Sequence, residues 1–403
     1  MRGESPVVTY YVLLVATFML LFIGLMMVYS VQSVSSAAAG TNSLTAYAKY
    51  LVFAVVGVAS MLAVSRARIS TLKKSAWWVM GLALALQCLV FVPGVGIDIM
   101  GNSNWIRLPG GMTLQPSEFI KLGLCLVLGR TAWKHAADMR DGVRTWAETK
   151  PFLLRVGLPV MLAVGLVLGG GDMGTSIVIV VAAFGAMWMA GLSRRWFVGV
   201  GAFGLAGFAL VSILRPSRRA RITAWLNPDG SDPLGLAYQP NHAKYALGTG
   251  GLLGVGPGGS RQKWGYLTQA DSDYIFAIVG EELGLVGTVL VIALFITVGW
   301  CCVRIMRRSR DRFAVVTAAG LMTWIVGQAL INMSVVAGLL PVLGVPLPLI
   351  SAGGSALIAV LGGIGVLLAL ARHEPGAQEA LSARAGSVRR TLTVITPRRR
   401  NRA

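Results

Sequence analysis

The chain is poor in charge and poorer still in acid. Of 403 residues only 13% are charged, with 16 Asp and Glu against 36 Lys and Arg, while 55% are hydrophobic. A soluble enzyme does not have this profile; long apolar runs with few charges mark a polytopic α-helical membrane protein. Cysteine is scarce too. Cys88, Cys125, Cys301 and Cys302 lie in or beside apolar runs and show neither metal-ligand spacing nor a disulfide framework, so they read as small buried hydrophobes. No Walker Lys-Ser/Thr pair follows the glycine-rich stretch near 250 and no strand precedes it, which argues against a P-loop. The net charge of +20 does not require nucleic acid, because Lys and Arg collect in cytoplasmic loops that face anionic lipid.

The apolar runs predict an all-α polytopic membrane protein with about ten transmembrane helices. They fall near 9–29, 47–65, 76–94, 117–133, 152–169, 174–192, 196–214, 274–303, 313–340 and 353–371. The first run is long enough to span, and no A-x-A-like cleavage site ending in a soluble domain follows it, so it reads as a span rather than a leader. The run 117–133 is the least regular, since Glu118, Lys121 and Arg130 interrupt it; the run 274–303 is long enough to tilt or protrude. Basic residues fix the orientation. Arg66, Arg68, Lys73 and Lys74, then Arg130 to Lys150, Arg194 and Arg195, Arg304 to Arg312, and the tail arginines all share one side when ten spans are drawn. Both termini are then cytoplasmic. The polar, basic tail 373–403 is expected to be disordered or to lie on the membrane surface.

One segment departs from that charge pattern. A large extracytoplasmic loop, 215–272 between spans seven and eight, carries Arg215, Arg218, Arg219, Arg221, Lys244, Arg261 and Lys263. Outward-facing cations suit an anionic ligand such as phosphate or pyrophosphate, or lipid headgroups, or an acidic partner. The loop is rich in Gly, Pro and Asn, with short helices or re-entrant pieces expected around 240–250.

Carboxylates cluster where this loop meets span eight, in "QADSDYIFAIVGEELG" (Gln269 to Gly284). Asp273 at the helix start is either an N-cap or a general base whose pKa is raised by a low-dielectric cavity. Glu281 and Glu282 lie two turns further along, where an unpaired charge is costly, so they are expected to face the bundle interior and pair with polar groups such as Lys121 or Arg130. In "QPSEFIKL" (Gln115 to Leu122), Pro116 and Ser117 suit a helix start; Lys121 either pairs with Glu118 or contacts a substrate phosphate. "LLPVLGVPLPLISAGGSA" (Leu339 to Ala356) breaks helical structure as a cavity-lining segment does. Gln328 and Asn332, four apart, are expected to make interhelical hydrogen bonds.

Taken in order, these stretches resemble the SEDS family of bacterial membrane glycosyltransferases, more its division branch than its elongation branch. The motifs are QPSEF-x-K-L, D-x-G-T at Asp172 to Thr175, the N-P…D-P-x-G-x-x-Y-Q run ending at Gln239, the acidic stretch above, and G-L-L-P…S-x-G-G-S ending at Ser355. The resemblance runs from Ile23–Ser30 in span one to Ala371–Pro375, nearly the whole chain, and implies a SEDS-type transmembrane domain over 1–372. It implies a peptidoglycan glycosyltransferase that polymerises lipid II, the undecaprenyl-pyrophosphate-linked precursor, outside the cytoplasmic membrane. It further implies a class B penicillin-binding protein as crosslinking partner, other divisome or elongasome membrane proteins nearby, and a place at the division septum. The alternatives are a lipid II flippase or a non-catalytic scaffold. The family's essential aspartate falls on Asp273, while Lys121, Arg218, Arg221, Gln239, Lys263 and Ser355 fall on motif positions in or near the outer cavity. Glu118, Asp271, Glu281, Glu282, Gln328 and Asn332 are expected to be structural or tuning. No cofactor is required; a divalent cation, magnesium or manganese, is compatible with the pyrophosphate, but no ligand cluster demands one. The sequence departs from the family at Thr268, Gln269 and Asp271, where Pro, Glu and His are usual. It departs again at Asn102 to Asn104, where paired arginines are usual and Arg107 is the nearest substitute.

Overall fold

The computed structural model describes residues 7–38, 40–99, 102–136, 150–214, 216–227 and 235–381, with backbone alone at 46, 203, 205, 208–214 and 216–218. Each expected apolar run overlaps a helix, though the runs 76–94 and 313–340 end beyond theirs, in turns: α1 (Val8–Ala38), α2 (Ser43–Ser65), α3 (Ile69–Leu89), α4 (Pro116–Ala136), α5 (Lys150–Gly169), α6 (Met173–Ala190) and α7 (Arg194–Leu214), then α10 (Ile275–Arg308), α11 (Arg312–Val336) and α12 (Gly354–Arg372). Seven of these, α1, α2, α5, α6, α10, α11 and α12, are long and apolar enough by themselves to cross a membrane. The chain is a multi-pass membrane protein.

Of these seven, the most enclosed are α12 and α11. Helix α12 packs on α2, α4 and α1, and α11 on α6, α10 and α4. The interrupted helix α4 sits inside this cluster, against α3, α6, α11 and α12. Its charges Glu118 and Lys121 therefore face protein rather than lipid, while Arg130 and Lys134 nearer its end are exposed.

Two features differ from an all-α bundle with one long loop. Between α3 and α4 the chain forms a three-stranded antiparallel sheet, β1 (Gly96–Ile99), β2 (Asn102–Leu108) and β3 (Met112–Leu114). Buried Asn104 anchors it: Gln87 of α3 donates to Asn104 Oδ1 at 2.6 Å, and Ser103 N donates to Gly170 O at 2.8 Å beyond α5. Asn104 thus fastens the sheet where the resembled family usually has an arginine, and Arg107 is exposed. The loop 215–272 carries two short helices, α8 (Pro216–Leu226) and α9 (Tyr238–Gly250), the second where a re-entrant piece was expected.

Helix α9 packs on α10, and the two are spliced together. Gly284 breaks α10 with φ 65° and ψ −162°. A regular helix would pair Leu285 N with Glu281 O and Val286 N with Glu282 O. Here Val255 N donates to Glu281 O at 2.9 Å and Gly256 N to Glu282 O at 3.1 Å, while Leu285 N and Val286 N donate to Gly251 O and Leu252 O at 2.9 and 3.2 Å. Only glycine permits this approach: a Cβ on Gly250 would stand 1.9 Å from Gly280 O, and one on Gly254 2.2 Å from Glu282 O.

The tail's first residues are packed rather than free. Glu374 is buried and pairs with Arg308 at 3.1 Å, and Ala377 is fully enclosed. The rest of the expected disordered tail, 382–403, lies outside the described residues.

Candidate active site

A cavity of about 520 Å³ opens at one end of the bundle. Its lining includes Trp105 and Thr113 of the sheet, Gln115, Asp172, Arg221 of α8, Asp273, the irregular segment Pro341–Pro346, and Gly353 to Ser355. Four helix N-termini converge on it, since α4, α6, α10 and α12 begin at Pro116, Met173, Ile275 and Gly354. Unpaired backbone N–H groups and helix dipoles make such a place favourable to an anion.

Asp273 lies in the wall of this cavity. It is not an N-cap: Tyr274 holds that position in α10 and no side chain caps the helix. The carboxylate points toward the segment before α12, where a Cβ on Gly344 would come within 3.7 Å of Oδ2. Burial raises its pKa to about 6, with Asp172 and Asp271 adding to the rise and Arg221 opposing it. A carboxylate so poised is ionised at neutral pH yet basic enough to accept a proton. Its backbone is clamped as well. Asn332 Nδ2 donates to both Asp273 O at 2.8 Å and Val345 O at 2.7 Å, and Ser351 Oγ donates to Ser272 O at 2.6 Å.

The helix-capping carboxylate is Asp172. It accepts from Thr175 N at 2.8 Å and Thr175 Oγ1 at 2.7 Å, and from Gln115 Nε2 at 3.0 Å. Gln115 N in turn donates to Ser355 Oγ at 3.1 Å. This chain of contacts sets three helix starts in register around the cavity. The sequence reading did not select Asp172 or Gln115, although each sits in a motif one residue before a helix and beside a proline or glycine, the signal of an N-terminus.

Of the residues expected to bind substrate, Arg221 and Ser355 line the cavity. Trp225, one turn beyond Arg221, fixes α8 by donating from Nε1 to Gly338 O at 2.9 Å. The side chain of Arg218 lies outside the described residues. Gln239 is not in the lining; its amide is engaged with Thr268, donating to Oγ1 at 2.8 Å and accepting from N at 3.2 Å.

Lys121 and Lys263 do not meet the expectation of a substrate contact. Lys121 is 1% exposed; its Nζ donates to Glu118 at 2.7 Å and Gln328 at 2.9 Å and lies 5.2 Å from the Trp324 ring centre. Lys263 is buried against Glu282 at 2.7 Å and Ser30 at 2.8 Å. In both cases a cation enclosed by protein takes the nearest carboxylate as its partner.

The glutamates also find other partners than expected. Glu281 grips the loop, accepting from Ser260 Oγ at 2.5 Å and Arg261 N at 2.9 Å, while Glu282 takes Lys263 and Ser30. Neither meets Lys121 or Arg130; Arg130 donates to Lys73 O at 2.6 Å. Gln328 makes the expected interhelical bond, accepting from Lys121 of α4 at 2.9 Å, and also donates to Pro346 O at 2.8 Å; Asn332 bonds the carbonyls of Asp273 and Val345 instead, the latter at 2.7 Å. Asp271 is turned away from the cavity lining. Its carboxylate accepts from Gln32 of α1 and its backbone O from Ala352 N at 2.8 Å; burial raises its pKa. It acts on Asp273 through charge.

Among the described residues, no group of three or more His, Cys, Asp or Glu side chains gathers as metal ligands. Asp172 has both oxygens engaged.

Comparison with known proteins agrees with this architecture. Residues 11–376 match the FtsW/RodA/SpoVE family model, described as cell cycle protein. Stage V sporulation protein E of Bacillus subtilis (strain 168) is 36% identical over 361 residues, 90% of this chain and 96% of that protein. A probable peptidoglycan glycosyltransferase FtsW of Trichlorobacter lovleyi is 34% identical over 358 residues, 89% and 91% of the two chains. Among solved structures, a chain from a peptidoglycan synthase complex in which polymerization and crosslinking are coordinated superposes with TM-score 0.69 at 26% identity, covering 90% of this chain and 97% of that one. The rod shape determining protein RodA of Thermus thermophilus shares the fold with TM-score 0.62 at 23% identity, over 90% and 96%. The motifs, the helix order and these matches together place the chain in the FtsW/RodA/SpoVE family of membrane proteins, the SEDS family that its sequence resembles.

Proposed function

We propose that the chain is a peptidoglycan glycosyltransferase that polymerises lipid II at the outer face of the cytoplasmic membrane, in septal wall synthesis during division. The observation that carries this reading is a single poised carboxylate, Asp273, in a cavity that it shares with Arg221 and the N-termini of four helices. Relatives named peptidoglycan glycosyltransferase support it.

In this reading Asp273 removes the proton from the 4-hydroxyl of the acceptor sugar. That oxygen attacks C1 of the donor with inversion, the C1–O bond breaks, and undecaprenyl pyrophosphate leaves. Arg221, with Arg218 one turn earlier on α8, stabilises the charge growing on the leaving group, as do the helix dipoles. No step is assigned to a metal ion; magnesium or manganese, if required, would be held mainly by the pyrophosphate. The topology is ten spans with both termini cytoplasmic, and a class B penicillin-binding protein crosslinks the product.

The test is polymerisation of purified lipid II by the protein co-purified with its penicillin-binding partner. Asp273→Asn abolishes glycan product while leaving partner binding intact; full activity in that variant overturns the assignment. Lipid II translocation into vesicles without polymer would favour a flippase.

A further inference from the structure

The splice between α9 and α10 places an apolar turn at an unusual level. Helix α10 has 34 residues, about 51 Å at 1.5 Å per residue, well beyond the ~30 Å of a hydrocarbon core. Its stretch Leu285–Val303 is uncharged and by itself about 28 Å long, whereas Arg304, Arg307 and Arg308 follow at the far end. Hydrocarbon therefore begins at the Gly284 break, and Ile275–Leu283, with both glutamates, stands above it. The turn Gly251–Gly256 is hydrogen-bonded to α10 at that level.

The side chains of this turn are the opposite of what a water-facing loop presents. Leu252 is 70% exposed and Leu253 80%, and they continue onto exposed Leu285 and Val286 of α10. The backbone is correspondingly paired: Gly254 N, Val255 N, Gly256 N, Gly251 O and Leu252 O all have protein partners. Irregular backbone enters a membrane only when such groups are satisfied by protein. Exposed Tyr245, Trp264 and Tyr266 in the flanking segments have the amphipathic character of an interfacial belt.

We propose that Gly251–Gly256 is a re-entrant wedge, with Leu252 and Leu253 seated among the acyl chains of the leaflet on the cavity side. It ties the loop that carries the cavity rim to the bilayer. The occupant is lipid because the patch is continuous with the apolar surface of α10 at the hydrocarbon edge and carries no polar side chain.

The experiment uses the full chain in nanodiscs. An environment-sensitive fluorophore is attached to Leu253→Cys, or to Leu252→Cys as an independent position, in a Cys88→Ser background; Arg261→Cys serves as the loop reference. Lipids brominated on the acyl chain quench the probe at 253 several-fold more than the probe at 261, and aqueous iodide does the reverse. Quenching at 253 by iodide rather than bromolipid would show a water-facing loop, and quenching by neither would show a protein-covered one; either result overturns the wedge. The readout needs no turnover, so its failure leaves the glycosyltransferase reading untouched.

Discussion

Lys263 and Glu282 meet at 2.7 Å with side chains 1% and 0% exposed, joining the cavity-side loop to the upper half of α10. Ser30 of α1 donates to the same Glu282 oxygen, so three elements share one buried charge pair. Removing one partner leaves the other charged and dry, which typically costs about 3–5 kcal/mol, whereas replacing both by apolar groups costs far less. Lys263→Met and Glu282→Leu singly are therefore expected to lower the thermal midpoint in detergent strongly, and the double variant to recover much of the loss. Equal and additive losses would refute the pairing.

In the proposed mechanism the pH dependence of polymerisation follows from Asp273. With its pKa near 6, the base is protonated and the rate falls as pH drops through that value. Asp172→Asn keeps an N-cap acceptor for Thr175 but removes a like charge, so the acidic limb moves to lower pH; Arg221→Gln removes an opposing cation and moves it to higher pH. Rate profiles of the three proteins on lipid II decide this. An unmoved limb in both variants would exclude Asp273 as the titrating group.

The same shift has a stability sign. A carboxyl whose folded pKa is raised from 3.8 to about 6 favours folding only while protonated, and that contribution is lost as pH rises through 6. Asp273→Asn is therefore expected to melt at the same or a higher temperature than the wild type at pH 8, in contrast to its loss of activity. A marked drop in melting temperature would make Asp273 a structural residue.

Lys121 should behave as a core residue. Lys121→Ala strands Glu118 in the bundle and leaves Gln328 short of a donor, so the expected loss is of folded protein, by roughly 3–5 kcal/mol. Paired Glu118→Gln with Lys121→Met retains more fold than either single change. In the folded fraction, KM for lipid II stays within about twofold of wild type; a rise of ten-fold or more would restore Lys121 to the substrate site.

Glycines of α9 give a pair of opposite outcomes. A Cβ at Gly250 collides with Gly280 O, while one at Gly248 meets nothing within 4 Å. Gly250→Ala should destabilise severely, and Gly248→Ala should be neutral or stabilise by up to about 1 kcal/mol through helix propensity. Chymotrypsin sensitivity of the 238–256 segment would report both.

Much of this was legible in the sequence because it rests on hydropathy and charge. The apolar runs located the long helices, and the motifs pointed to Asp273, Arg221 and Ser355 around one cavity. What stayed hidden depends on which partner a polar group finds in space. The i,i+3 spacing of Glu118 and Lys121 allowed their pairing but could not exclude a substrate contact. Lys263 and Glu282 are 19 residues apart, with a helix break between loop and helix that no local pattern encodes. The sheet at 96–114 is short and half-exposed, so neither a clean alternation nor a long apolar run announced it.

The break at Gly284 also bears on how the protein is made. The carbonyls of Glu281 and Glu282 receive their donors from residues about 25 positions earlier in the chain. Those donors leave the ribosome first, and the apolar stretch after Gly284 is long enough to insert unaided. The carbonyls of the carboxylate-bearing end, Glu281 and Glu282, are satisfied only when the preceding turn docks against them. The carboxylate-bearing end of α10 is thus conditional on a turn that contributes no group to the cavity.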